Sequence, residues 1–296
     1  ETLAVLPWIV ARGADAFRAL GAPLSPGSKT FALAGKITRG GLVEVPLGIG
    51  LRRIVEEIGG GVQDGRRLKA VQIGGPSGGC VPAHLADPAV DYESLAAAGT
   101  MMGSGGMVVL DETDCMVDVA AYFMDFTRRE SCGTCGPCRV GAPRLHAILA
   151  ALCAGTAKPG DLERLEDLAL AMAEGGLCGL GRTAPNPVLS TLRHFRAEYE
   201  DHLAGRCTAK RCRDLVAYVV NERCIGCTRC AQRCPASAIP ATPYTRHRID
   251  QSRCIRCGTC RQACPSEAID VIDRVDLPAT ETPEAAAAPA GEAGGA

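Results

Sequence analysis

Residues 224–239 read CIGCTRCAQRCPASAI, and residues 254–269 read CIRCGTCRQACPSEAI. The two stretches start thirty residues apart and share one spacing, C-x2-C-x2-C-x3-C-P. Two residues between thiolates let three of them converge on three corners of one [4Fe–4S] cube, while the fourth, followed by proline, turns toward a second cube. The expected ligand sets are therefore crossed: Cys224, Cys227, Cys230 and Cys264 for one cube, Cys254, Cys257, Cys260 and Cys234 for the other. A pair of zinc knuckles is the alternative, but those group their ligands two and two rather than three and one.

Residues 219–275 thus read as a ferredoxin fold of the bacterial two-cluster type. The rest of the cysteine usage agrees with metal rather than disulfides. The chain of 296 residues holds 17 cysteines, of which only Cys80 and Cys115 precede residue 130. An odd count dominated by C-x2-C is not the even framework of a short secreted scaffold. The opening ETLAVLPWIV has no basic region leading into a long apolar stretch, and no run approaches the roughly 20 apolar residues of a membrane span. A reducing, cytoplasmic setting is expected. Net charge is −1, which points to no nucleic-acid partner for the chain as a whole. Residues 206–261 are nonetheless basic, with twelve Lys or Arg against three Asp or Glu. A nucleic-acid surface is one reading of that stretch. Offsetting the cubes' negative charge and steering an acidic electron carrier or partner subunit is the simpler one.

Outward from the repeat, the pattern is that of an α+β multidomain chain. Residues 1–27 begin with a helical stretch over 1–20. Residues 28–80 read as strand, strand, helix and strand, a small β-grasp-like module, with KTFALAG and LVEVPLG as the first two strands and LRRIVEEIGG as the helix. Residues 81–112 are a Gly-rich connector containing a strand at MVVLDE, and MGSGG at 102–106 is a turn rather than a dinucleotide fingerprint. Apolar spacing of three and four over 113–205 marks a four-helix bundle. Residues 206–218 are a linker, and 276–296 (LPATETPEAAAAPAGEAGGA from Leu277) should be disordered.

Within the helical region, SCGTCGPCR at 131–139 offers three more thiolates at C-x2-C-x2-C spacing: Cys132, Cys135 and Cys138. Cys178, in GLCGLGRTAPNPV, is the best remote fourth ligand, because its flanking glycines let backbone approach a cluster. On spacing alone a zinc site or buried thiols remains the alternative. His202, Cys207 and Cys212 form H-x4-C-x4-C, and Cys153 at a helix end is a candidate fourth donor for a structural zinc of Cys3His type. Ordinary linker residues around a buried thiol are the competing reading. Cys80 and Cys115 fit no motif and read as inert buried thiols; His146, His194 and His247 fit no ligand pattern. No general base or nucleophile is apparent.

ESCGTCGPCRVG at 130–141 and CGLGRTAPNPVLSTLRHF at 178–195 resemble the cluster-binding region of the flavin-bearing, NADH-oxidising subunit of respiratory complex I and its relatives. ETLAVLPWI at 1–9 resembles the end of that family's FMN domain, and 28–80 its soluble-ligand-binding β-grasp domain. GGPSGGCVP at 74–82, DETDCMVDVA at 111–120 and the appended ferredoxin bring the resemblance closest to beta subunits of NAD(P)-linked, often electron-bifurcating, [FeFe] hydrogenases and of similar formate dehydrogenases. The resemblance implies a [4Fe–4S] cluster on Cys132, Cys135, Cys138 and Cys178 beside the flavin. Thr2, Gly179 and Leu180 would lie near that flavin. It also implies a zinc near the junction before the ferredoxin. FMN and NAD(P) belong to the full-length subunit, whose Gly-rich loops this chain lacks; it is expected to be the C-terminal part and inactive alone. The implied partners are a catalytic subunit, a small [2Fe–2S] subunit and ferredoxin. An electron relay in a hydrogenase complex is the expected function. A formate dehydrogenase subunit and a non-catalytic docking or assembly module are the alternatives.

Overall fold

Burial alternates along Ser28–Gly35 (β1), with Lys29, Phe31 and Leu33 turned inward and Ala32 and Ala34 outward, the period of two that a strand requires. Gly41–Pro46 (β2) returns antiparallel beside it. Leu68–Ile73 (β3), Gly79–Pro82 (β4) and Gly106–Asp111 (β5) complete a five-stranded sheet in the order β2-β1-β5-β3-β4. β5 runs parallel to β1 and antiparallel to β3. The computed structural model describes residues 1–85 and 87–278.

Both sheet faces are covered. Phe31, Val45, Val71, Met107 and Val109 pack with Leu51, Ile54 and Val55, which come from a short helix, Leu51–Arg53 (α3), continued by one wider turn at Ile54–Ile58. That turn closes with Gly59 N–H donating to Ile54 O at 2.8 Å. Leu95 of Tyr92–Ala97 (α4) joins the same core. On the opposite face, Ala70, Cys80, Val108 and Leu110 meet Met116 and Val119 of Met116–Glu130 (α5) and Phe195 of Asn186–Leu203 (α9). Residues 107–110 alternate between the two cores, so β5 is apolar on both faces. The module expected to end at residue 80 therefore runs to Asp111, because the stretch read as a connector supplies the central strand. An apolar run such as M-V-V-L is what a strand covered on both sides needs.

Gly136–Ala154 (α6) and Asp161–Gly175 (α7) pack antiparallel: a Cβ on Gly141 would lie 3.2 Å from Met172 Sδ, and one on Gly175 3.0 Å from Pro137 Cγ. α6 buries Ala142, Leu145, Leu149 and Leu152, one stripe at helical spacing. Gly179–Thr183 (α8) is a single turn before α9. The helix expected over 1–20 splits into Thr2–Arg12 (α1) and Ala14–Arg18 (α2) at Gly13, whose φ is +88°.

Contacts divide the chain into two units, Glu1–Ala151 with Lys158–Glu200, and Leu152–Ala157 with the residues from Asp201 onward. In the second unit, Val216–Val220 (β6) and Ile269–Asp273 (β7) form an antiparallel pair. Arg229–Gln232 (α10) and Thr259–Ala263 (α11) are the helical turns of the two repeats. The core here is small: Val220, Ile239, Ile249 and Ile269 with Cys230 and Cys260. Asp276, assigned to the tail by sequence, pairs with Arg206 at 2.6 Å, so ordered chain passes that boundary; 279–296 lies outside the described residues. Among the described residues no helix is long and apolar enough to cross a membrane.

Candidate metal centres

In the second unit the two repeats build two clefts, and their linings follow the crossed pattern. Cys224, Cys227, Cys230 and Cys264 line one. Cys254, Cys257, Cys260 and Cys234 line the other. The cysteines keep the same order of exposure in each repeat: half-buried, exposed, buried, half-buried. Backbone amides aim at the crossing sulfurs in the same way, with Ala238 N–H donating to Cys234 Sγ at 3.3 Å and Ala268 N–H to Cys264 Sγ at 3.2 Å. Burial pushes the Cys260 thiol up to about 11 and raises Cys230 as well. Burial also opposes ionisation of Cys264, yet Ser266 and the Ala268 N–H hold it below its ordinary value. Thiols buried without counter-charge bind a cationic iron core with release of their protons, and a group of four fits a cube.

The first unit assembles the third set. Cys135 and Cys138 are buried and Cys132 and Cys178 exposed. The glycine-flanked loop of Cys178 closes on the others: a Cβ on Gly181 would lie 3.6 Å from Cys138 Cβ and 3.9 Å from Cys135 Sγ. The Leu177 N–H, followed by that of Cys138, holds the Cys135 thiol below its usual value, and the Thr134 hydroxyl does the same for Cys132. Gly181 N–H donates to Cys178 Sγ at 3.4 Å, and Ser131 Oγ lies 3.2 Å from Cys138 Sγ. Thr2 opens α1, while Gly179 and Leu180 begin α8 directly after Cys178.

His202, Cys207 and Cys212 are buried, and their ligand atoms lie within 4.8 Å of one another. His202 Nε2 is 3.3 Å from Cys212 Sγ. Arg211 N–H donates to Cys207 Sγ at 3.4 Å, and Cys207 N–H donates to Asp273 Oδ1 at 3.0 Å. Cys153 is not in this group. It follows Leu152, which closes the buried stripe of α6, and one step along a helix turns a side chain away from that stripe. Cys80 is an apolar-core thiol that burial pushes up to about 12. Cys115 is buried where α5 begins.

Sequence reasoning passed over the hydroxyls beside the ligand sulfurs. Thr134, Thr259 and Ser266 each stand two residues after a cluster cysteine and lie 3.3, 3.3 and 3.6 Å from it. The signal was present as C-x-S/T at 132–134, 257–259 and 264–266.

Residues 118–202 match the NADH-ubiquinone oxidoreductase-F iron-sulfur binding region, and residues 217–271 match the 4Fe-4S dicluster domain. With the grouped cysteines, these matches mark two iron–sulfur-binding regions in the chain. More particularly, the chain is homologous to subunits of NAD(P)-linked oxidoreductases. It is 49% identical over 249 residues to the HndC subunit of the NADP-reducing hydrogenase of Solidesulfovibrio fructosivorans, covering 83% of this chain and 51% of that protein. It is 43% identical over 206 residues to an NADH-quinone oxidoreductase subunit of Rhizobium meliloti (strain 1021), covering 70% and 49%. The crystal structure of an NAD+-reducing [NiFe]-hydrogenase in the H2-reduced state superposes with a TM-score of 0.61 at 35% identity, covering 68% of this chain and 33% of that one. The chain spans about half the length of the curated relatives it matches.

Proposed function

We propose that this chain relays electrons between a flavin-proximal [4Fe–4S] cluster and two ferredoxin-type cubes, within an NAD(P)H-dependent subunit of a cytoplasmic hydrogenase complex. The observation that supports the reading is that two clefts are each lined by four cysteines in the crossed pattern, while the loop after Cys178 packs against Cys135 and Cys138. Each cube, when bound, takes up and releases one electron. The chain's own residues hold the sulfurs, bury them and aim backbone N–H groups at them, which are the protein's levers on cluster potential. The basic stretch around the ferredoxin repeat supports docking of an acidic electron carrier.

We further infer that the sheet over 28–111 is a β-grasp module of the soluble-ligand-binding kind, a reading supported by its central parallel β1–β5 pair. The helices of residues 113–205 are the bundle that presents Cys132, Cys135, Cys138 and Cys178. FMN and NAD(P) act in the complete subunit, with Thr2, Gly179 and Leu180 on the flavin side. A catalytic subunit, a small [2Fe–2S] subunit and ferredoxin are its partners. A structural zinc sits on His202, Cys207 and Cys212, whose donor set of one imidazole and two thiols suits it. Four-coordinate zinc needs one more donor than these three.

Metal analysis of anaerobically purified protein, with EPR of the reduced form, tests this directly. About twelve irons, one zinc and interacting reduced-cluster signals are expected. About eight irons would remove the flavin-proximal cube and the relay with it. Zinc retained in Cys153→Ser would rule that thiol out as the fourth donor.

A further inference from the structure

His247 fits no ligand motif, yet it lines the cleft of Cys224, Cys227, Cys230 and Cys264. Its side chain is 3% exposed. Nδ1 lies 3.8 Å from Cys224 Sγ, and Nε2 is buried with no hydrogen-bond partner in the protein. A buried polar nitrogen left unpaired is costly, unless whatever fills the cleft completes it. The ring is also held in place. Tyr244 N–H donates to Gly226 O at 3.1 Å, and Arg246 Nε donates to Val220 O at 3.0 Å, strapping residues 244–247 across the first cluster loop. The second cleft has no histidine; Tyr218, Ala236 and Ile249 stand among its lining residues. Ser266, beside Cys264 in the first cleft, has alanine as its counterpart at 236.

We propose that His247 is a hydrogen-bond donor to the cube held by Cys224, Cys227, Cys230 and Cys264, and that it makes this cube the higher-potential member of the pair. The proposal rests on the relay reading above. A donor aimed at a ligand sulfur or at the cube stabilises the extra negative charge of the reduced form more than that of the oxidised form. A cube bound there would supply one-electron chemistry in which no bond to His247 is made or broken. His247 is a positioning residue that acts through the cube's sulfur.

The test is an EPR-monitored potentiometric titration of the full chain at fixed pH, comparing wild type with His247→Phe and His247→Gln. His247→Phe is expected to keep its iron and shift the electron about tenfold away from one ferredoxin-type cube, or about 59 mV for a one-electron couple. His247→Gln, which still donates, should restore most of that shift. Pulsed EPR on wild type labelled with 15N-histidine supplies a reading that needs no substitution. A histidine nitrogen coupled to one reduced cube, and absent in His247→Gln, is expected even if His247→Phe fails to assemble. Unchanged potentials in an iron-replete His247→Phe, or no such coupling in wild type, would overturn the proposal. Wild type short of about eight ferredoxin-type irons would instead overturn the relay reading beneath it, and the proposal with it.

Discussion

Replacing Gly226 by alanine tests how the first cluster loop is shaped. Each loop carries two residues in the left-handed region: Gly226 (φ +66°) and Thr228 (φ +61°) in the first, Arg256 (φ +56°) and Gly258 (φ +77°) in the second. Glycine thus occupies opposite positions in the two loops, and the neighbours explain why. A Cβ on Gly226 would sit 2.6 Å from Thr245 N and 2.7 Å from Tyr244 Cα, both backbone atoms of the strap. A Cβ on Gly258 would lie 3.0 Å from the Tyr218 hydroxyl, the far end of a side chain. The left-handed conformation costs an alanine about 1–2 kcal/mol at either site. Alanine's smaller unfolded-state entropy returns about 0.4–1 kcal/mol at both. Overpacking against backbone adds about 1–3 kcal/mol, and only at residue 226. Gly226→Ala should therefore be worse than Gly258→Ala by about 1–3 kcal/mol, a factor of about five to 150. The assay is the rate at which cluster absorbance disappears in a fixed concentration of guanidinium under anaerobic conditions. Equal rates for the two variants, or faster loss in Gly258→Ala, would refute the reasoning.

The crossed ligand sets make a prediction about iron content. Cys264→Ala combined with Cys224→Ala should lose no more iron than either alone, about four per chain, whereas Cys264→Ala with Cys254→Ala should lose about eight; the reverse pattern in iron analysis would mean that each repeat closes its own cube. Cys80 is held neutral by burial with its pKa near 12, above the unfolded value of about 8.5. Its contribution to stability is therefore complete below about pH 8.5 and is lost as pH rises toward 12, a total of up to ~5 kcal/mol; Cys80→Ala should flatten that alkaline limb in pH-dependent unfolding. Asp273 fixes the Cys207 N–H and pairs with Lys210 at 2.5 Å, so Asp273→Ala should weaken zinc retention about 10–100-fold in a chelator competition. Asp276→Ala, which removes only the exposed pair with Arg206, should leave zinc retention unchanged.

Much of the site is legible in the chain because cluster ligation is mostly local. Two residues between cysteines place three thiolates on one loop whatever surrounds them, so Cys132, Cys135 and Cys138, and the two triplets of the repeat, can be named from spacing. Helix periodicity likewise marks α5, α6, α7 and α9, and the glycines after Ile58 mark the end of the α3 turn. The role of β5 is harder to see: MVVLDE reads as a strand, but nothing in it says that it lies between β1 and β3. Cys153 shows the limit of counting along a helix end, since one residue past Leu152 is enough to leave the buried stripe.

What the sequence determined by itself is where thiols stand at cluster-type spacing and the chemistry they suit, because soft thiolates at fixed short spacing are confined to one loop before any tertiary contact forms. Only the tertiary structure decided which distant atoms complete each group. It brought Cys264 to the first triplet and Cys234 to the second, folded the Cys178 loop onto Cys135 and Cys138, and turned the buried ring of His247 toward Cys224. The physical reason is that a loop's own covalent geometry sets distances over a few residues, whereas a contact between positions 23 or 40 residues apart depends on how the elements around and between them pack.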